Sequence, residues 1–333
     1  MAYKHLSLEE RHYIELSLKS EMSHSDIALN LNRSQPAISR EISRNTGLRG
    51  YRYKQAHIKA SKRHSDKNKA VKLTPEVKLL IEEHIREDWS PEQICGWLRR
   101  DEQDEKIELH HETIYQYILK DKLAGGELYN HLRHRNKTYR KRYGSAHNRS
   151  KNGIPDRVDI DKRPEAANNR ERFGDWEGDT IIGKNHKGAI VTLDERVSKL
   201  RLALPTGGKK AGKVTEAIIQ LFTPLKEYVL TLTLDNGKEF AYHKEVSKKV
   251  ECDTYFAKPY HSWERGQNEN SNGLLRQYFP KSMELLDVTT QQVIDAVHKL
   301  NSRPRKCLNY QTPYEVFEKL SGISQKELAV MHL

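Results

Sequence analysis

The 333 residues carry 58 Lys and Arg against 46 Asp and Glu, a formal net charge of +12, and the isoelectric point is near 9.3. Such a chain is long enough for two or three domains with a proper core and is biased towards a polyanionic partner. Three widely spaced cysteines, Cys95, Cys252 and Cys307, give neither a disulfide framework nor a zinc pattern; no apolar run approaches the ~18 residues of a membrane span, and MAYKHLSLEERHY lacks an apolar signal core, so a soluble cytoplasmic protein is expected.

The chain opens on LSLEERHYIELSLKS, where Ser7 and Glu10 form a capping box ahead of an amphipathic helix that turns Ile14 and Leu18 inward. A second helix starts at Ser23 and Asp26 and lines one side with Ile27, Ala28 and Leu31. Ser34 caps a third, with Pro36 tolerated in its first turn and Ile38 and Ile42 facing in. Three short helices with tight connections read as a helix-turn-helix. The outward residues of the third, Gln35, Ser39, Arg40, Ser43 and Arg44, are of the kinds that touch base edges and phosphates in the major groove. The plainer alternative is a three-helix bundle with a solvated basic face.

From Arg49 to Lys72 the sequence is basic, without apolar periodicity, and reads as a linker touching phosphate. Thr74 and Pro75 then cap a helix with Val77, Leu80, Ile81 and His84 in one stripe. Ser90 and Gln93 box the next, which buries Ile94, Trp97 and Leu98, and HETIYQYILKD carries Ile114 and Ile118. This is a second helix-turn-helix-like unit that either reads DNA or packs on another protomer. Beyond Gly125-Gly126, LRHRNKTYRKRYGSAHNRSK holds Arg140, Lys141 and Arg142 in a run without an acid, suited to tracking a phosphate backbone.

From about residue 173 strand-like runs alternate with helices, as in an α/β domain. FGDWEGDTIIGK is one strand, GAIVTLDERVSK and RLALP form a hairpin, KVTEAIIQLFTPLKEY is a crossover helix, and YVLTLTLD leads to the Asn236-Gly237 turn. In that last strand Leu230, Leu232 and Leu234 alternate with Thr231, Thr233 and Asp235, which puts Asp235 on the polar face at the C-terminal end. Further on, Glu269, Asn272, Gly273 and Arg276 form a polar helix face while Leu274, Leu275 and Tyr278 turn inward. The sheet order is that of an RNase H-like domain, in which the first and fourth strands can be neighbours.

Two strand carboxylates and one on a helix suit hard divalent ions, which take oxygen ligands. Without cations, two carboxylates about 4 Å apart repel by roughly 4 kcal/mol at an effective dielectric near 20. On the first strand Asp175, Glu177 and Asp179 share a face, and steps of roughly 6.6 Å allow only one of them at a given metal site. Asp194 competes from the next strand, although Glu195 and Arg196 beside it suggest a surface turn with a local ion pair. Parity alone leaves the first acid open.

The segments GDWEGDTI, TLDNGKEF and RGQNENSNGLLRQYFPK, in this order and with 33 residues between Asp235 and Glu269, resemble the DDE transposases of the insertion sequence thirty type, relatives of retroviral integrases. The resemblance implies a catalytic and metal-binding triad of Asp179, Asp235 and Glu269, holding Mg²⁺ or Mn²⁺, two ions per site. Taken in order, the segments give a multidomain chain: a helix-turn-helix domain at 1–48, a basic linker at 49–72, a second helical domain at 73–126, a second basic linker at 127–172 and, as the resemblance also implies, an α/β RNase H-like, retroviral integrase-like catalytic domain with C-terminal helices at 173–333. The expected partners are the element's terminal inverted repeats and target DNA, bound by Gln35, Ser39, Arg40, Arg44, Arg140, Lys141, Arg142 and Arg276; a homo-oligomer assembles on DNA, in the bacterial cytoplasm at the nucleoid. The expected reaction is cleavage at the element ends and joining of the freed 3′-OH to target DNA. Two other classes compete: a non-catalytic helix-turn-helix regulator with a degenerate sheet domain, which should have lost one of the three acids, and a structure-selective nuclease, which has no need of paired DNA-reading units.

Overall fold

The structure is a computed structural model that describes residues 5–66, 73–100, 107–135, 154–258 and 266–331, without the side chains of 266, 267, 269 and 329–331. The chain forms two compact units, Met1–Val71 and Lys72–Leu333.

In the first unit, α1 (Leu8–Lys19) begins at the expected box, with the Ser7 hydroxyl accepting from the Glu10 amide and Glu10 accepting from the Ser7 amide at 2.7 Å. It is followed by α2 (His24–Asn30) and α3 (Gln35–Asn45). The core is small: Ile14, Ile27, Ala28, Ile38, Tyr51 and Ala56. A buried Arg11–Glu41 pair at 2.7 Å, with the Tyr51 hydroxyl donating to Glu41 at 3.2 Å, closes its edge. The stretch read as a linker contains a fourth helix, α4 (Tyr53–Ser65), packed on α1. Its buried position is Ala56, after Tyr51, its one large aliphatic residue, Ile58, is exposed, and most of the rest are Lys, Arg, His and Ser, so no apolar period reveals it in the sequence.

The second unit starts with α5 (Pro75–Arg86), α6 (Pro91–Trp97) and α7 (His111–Leu123), whose shared core includes Ile81, Ile85, Ile94, Leu98, Ile114 and Ile118. After α8 (Glu165–Asn169) comes a five-stranded sheet: β1 (Asp175–Ile182), β2 (Ala189–Glu195), β3 (Arg201–Pro205), β4 (Thr231–Leu234) and β5 (Asp253–Phe256), in the order β3-β2-β1-β4-β5. The first three strands are an antiparallel meander; β4 and β5 run parallel to β1 and are reached through α9 (Ala211–Phe222) and α10 (His243–Val250), as parallel strands require a crossover. This is the strand order expected of an RNase H-like sheet domain, following the N-terminal helix-turn-helix in the chain. Then follow α11 (Gly266–Leu275), α12 (Thr290–Asn301), α13 (Pro313–Ser321) and α14 (Gln325–Met331).

Strand alternation splits the sheet into two unlike faces. Trp176, Val191, Leu193, Leu202, Leu204, Leu232 and Leu234 point into a core filled by α9, with Phe222 and Phe317. Burying each large side chain there contributes about 1.5–3 kcal/mol. The other face carries Asp175, Glu177, Thr192, Asp194, Arg201, Thr231 and Thr233, all buried, alongside an apolar cluster of Ile181, Ile190 and Ala203 with residues of α11 and α12.

The α5–α7 bundle rests on this domain. Gln93 donates to the Pro304 carbonyl at 2.8 Å, Arg100 to Glu315 at 2.9 Å and Tyr278 to Asp88 at 2.9 Å. Gly96 lies flat on the Tyr310 ring, where a Cβ would come within 2.0 Å of a ring carbon. The face of α6 thus packs on its own chain's sheet domain, a contact that neither of the two expected uses of this unit includes.

Candidate active site

The β1–β4 register pairs Asp175 with Thr231, Trp176 with Leu232 and Glu177 with Thr233. Continued by two residues, it sets Asp179 opposite Asp235, at the point where β4 gives way to the Asp-Asn-Gly turn. The turn is braced: the Gly237 amide donates to Asp235 Oδ1 at 2.8 Å, and Asn236 donates to the Ala257 carbonyl at 2.6 Å. The residue Glu269 lies on α11, whose next turn carries Asn272; the Asn272 amide donates to Asp179 Oδ2 at 2.8 Å. The three acids named from the sequence thus belong to two adjacent strand ends and a helix bonded to the first of them. Among the described residues no group of three or more His, Cys, Asp or Glu side chains forms a metal cluster, and the Glu269 side chain is outside that description.

Which β1 acid has which partner is now visible. Asp175 is fully buried, ion-paired to Arg172 at 2.9 Å, and accepts from the Thr231 hydroxyl at 2.6 Å. Glu177 is fully buried against Arg196 at 3.3 Å. Asp179 is half-exposed and accepts from the Thr180 amide and from the Asn272 side-chain amide, each at 2.8 Å. The two inner acids each face a guanidinium, and the outer one accepts from two amide donors.

The expected surface turn at Asp194 is not there. Asp194, Glu195 and Arg196 are all buried; Asp194 forms a two-pronged pair with Arg201 at 2.6 and 2.7 Å, and Arg196 belongs to Glu177. Glu195 instead collects the amides of Gly174, Val197 and Ser198 and the Ser198 hydroxyl, and burial pushes its carboxyl above the usual range in spite of them. The sequence missed that these charges pair at a distance along the chain. It also missed Glu239, which follows the Asp235 turn: it is buried, accepts from the Thr180 hydroxyl at 2.9 Å and pairs with Lys209. Burial alone would raise its carboxyl, but Lys209, its own amide and Thr180 together bring it below the usual range. The only sequence signal for it was its place in LDNGKEF.

Arg276, expected as a DNA contact, is half-buried and donates to the Ile182 carbonyl at 2.9 Å and the Phe279 carbonyl at 3.3 Å. Those bonds tie the end of β1 to the segment after α11, and burial lowers the guanidinium's pKa. In the first unit, Gln35, Arg40 and Arg44 stand exposed on α3 and Ser39 is half-buried; Arg40 donates to the Pro36 carbonyl at 3.0 Å. Arg140, Lys141 and Arg142 lie outside the described residues.

Comparisons with known proteins show what this chain is similar to. A helix-turn-helix domain family matches residues 2–45. The transposase for insertion sequence element IS4351 of Bacteroides fragilis is 42% identical over 328 residues, 98% of each chain. The transposase InsI for insertion sequence element IS30C of Escherichia coli is 37% identical over 332 residues, 96% of this chain and 84% of that one. The transposase for insertion sequence element IS1086 of Cupriavidus metallidurans is 35% identical over 329 residues, 96% of this chain and 95% of that one. Among solved structures, the catalytic core domain of BIV integrase aligns with a TM-score of 0.35 and 23% identity, covering 44% of this chain and 95% of that one.

Proposed function

The chain belongs to the family of insertion sequence transposases that includes those of IS30 and IS4351, and on that premise we propose that Asp179, Asp235 and Glu269 are its catalytic acids, cutting DNA at the ends of its element and joining the freed 3′-OH to a target. The observation that carries this reading is the β1–β4 register, which brings Asp179 and Asp235 to one place beneath the helix of Glu269.

The donor set fits a divalent metal. Asp179 is half-exposed and has amide partners where its strand neighbours have arginines, and hard cations such as Mg²⁺ take carboxylate oxygens. Mg²⁺ or Mn²⁺, two ions per site, held by the three acids would lower the pKa of the attacking hydroxyl and stabilise the leaving oxygen. The chain's own residues do the rest. The braced Asp-Asn-Gly turn fixes Asp235, and α11 carries Glu269 and the amide that aims Asp179. Water is the first nucleophile: its oxygen bonds to phosphorus as the P–O3′ bond breaks and leaves a 3′-OH. That hydroxyl then attacks a target phosphodiester in the same way.

Recognition falls to the first unit. Gln35, Ser39, Arg40 and Arg44 on α3 read the terminal inverted repeats, and Arg140, Lys141 and Arg142 follow the backbone. No helix among the described residues is long and apolar enough to cross a membrane, and DNA as substrate sets the site of action in the cytoplasm. Exposed Tyr115, Leu119 and Leu123, recurring every fourth residue along α7, support a homo-oligomer on DNA. The test is a duplex bearing the inverted repeat that flanks the coding sequence, incubated with protein and Mg²⁺. Cleavage at the repeat and transfer to a plasmid are expected; nicking without transfer would favour a nuclease, and binding without either a regulator.

A further inference from the structure

We propose that Arg201 is the positioning residue of the active site, setting α11 against the sheet and, through Asn272, fixing the orientation of the Asp179 carboxylate; this rests on the assignment of Asp179 and Glu269 above. Arg201 is buried at the start of β3, and its main chain is clamped by Asn301 of α12, whose amide accepts from the Arg201 N–H at 3.0 Å and donates to its carbonyl at 2.8 Å. The guanidinium reaches across β2. Its Nε and Nη2 hold Asp194 at 2.7 and 2.6 Å, Nη1 donates to the Ser271 carbonyl at 2.9 Å, and Nη2 donates to Asn272 Oδ1 at 3.0 Å. One side chain thereby joins β3, β2 and α11, and it grips α11 within one turn of Glu269.

The chemistry of the bonds fixes the direction of the Asn272 amide. Arginine has only donors, so the face of Asn272 turned to Arg201 must be its oxygen. The Thr192 hydroxyl, 3.2 Å from the same oxygen, agrees. The amide nitrogen is then forced towards Asp179 Oδ2, where it donates at 2.8 Å. Asp179, which only accepts, and Arg201, which only donates, therefore hold the same orientation of the amide from its two ends. The Arg201 guanidinium holds the other end of that amide while remaining one residue removed from the acid itself. The other β1 acids, by contrast, meet their arginines directly.

A purely structural salt bridge would predict lost stability alone; a positioning residue predicts a change in how the site takes up metal. The experiment uses the full chain and Mn²⁺. Free Mn²⁺ is titrated by electron paramagnetic resonance against wild type, Asn272→Ala, Arg201→Lys and, as a same-strand control with its own Arg partner, Asp175→Asn; Tm and end-cleavage are measured alongside. Asn272→Ala and Arg201→Lys should raise the Mn²⁺ concentration for half-saturation about tenfold, the usual effect of losing a group that orients a metal ligand. The cleavage rate at saturating Mn²⁺ should stay within a few-fold of wild type. Asp175→Asn should lower Tm and leave the half-saturation point where it was. Arg201→Lys keeps the charge beside Asp194 but lacks the fork, so a wild-type titration there and for Asn272→Ala would overturn the proposal, as would a fall in Tm and rate with no shift in half-saturation. Should Arg201→Lys fail to fold, Asn272→Ala decides, since it leaves the Arg201–Asp194 pair intact. Asp179→Asn in the same series separates the two levels: an active Asp179→Asn enzyme sinks the catalytic assignment, whereas an inactive one beside an unshifted Asn272→Ala sinks only the positioning role.

Discussion

The inner and outer parts of β1 carry carboxylates on one face, two residues apart, and differ in what answers them. Asp175 and Glu177 sit in the interior, each against an arginine, whereas Asp179 sits half-exposed against an asparagine and a main-chain amide. A buried carboxylate depends on its ion-pair partner, whereas a half-exposed one is also reached by solvent and ligands. A functional acid at a strand end is told from its buried neighbours by its exposure and by the amide donors that orient it.

The largest effect should come at the outer end. Asp179→Asn is expected to lower end-cleavage by on the order of 10³-fold or more, because a triad acts as a unit, with Tm and DNA binding close to wild type; EDTA added to the wild type should do the same, and cleavage that survives either treatment would erase the contrast. Next come the inner acids. Glu177→Gln leaves Arg196 buried without its counter-charge and should cost about 3–5 kcal/mol in urea unfolding. Asp194→Asn, which a surface turn would have tolerated, should cost a similar amount, since Arg201 loses both prongs of its pair. If either variant unfolds like wild type but fails to cleave, the inner and outer acids are not as different as their contacts suggest.

Arginines sharpen the same comparison at smaller scale. Arg40 is exposed on α3 with one bond to its own helix, so Arg40→Ala should leave Tm unchanged and weaken binding of the inverted repeat by about 1–3 kcal/mol, read by gel shift at fixed salt. Arg276→Ala should do the reverse: a lower Tm through the lost Ile182 and Phe279 carbonyl bonds, and the smaller change in DNA affinity. Equal losses of DNA affinity in the two would return Arg276 to the DNA-contacting set.

Much of the fold was legible because it is written locally. Ser7 with Glu10, Ser90 with Gln93 and Thr74 with Pro75 announce helix starts, and the Leu-Thr alternation before Asp235 announces a strand and its polar face. The helix at Tyr53–Ser65 was not legible, since it needs only Ala56 to pack on α1 and a small residue in a basic run carries no period. The charged hairpin was misread for a related reason. Asp194, Glu195 and Arg196 look like a solvated turn until Arg201, Ser198 and Glu177 are brought to them, and only the sheet register and the turn geometry do that. Local signals name elements; partners for buried charge are a property of the assembled sheet.

The seat of α6 on the sheet domain bears on where this protein can be divided. With Gly96 pressed on Tyr310, Gln93 bonded to Pro304 and Asp88 receiving Tyr278, the bundle covers surface that is shaped for it. A break in the chain after Val71 parts two units that each have a core, so both pieces should be separately expressible. A break between Arg135 and Ile154 parts a lid from its box. Neither half should survive expression alone, yet the two produced together should find one another, and recovery of an untagged half on its tagged complement would be the sign of it.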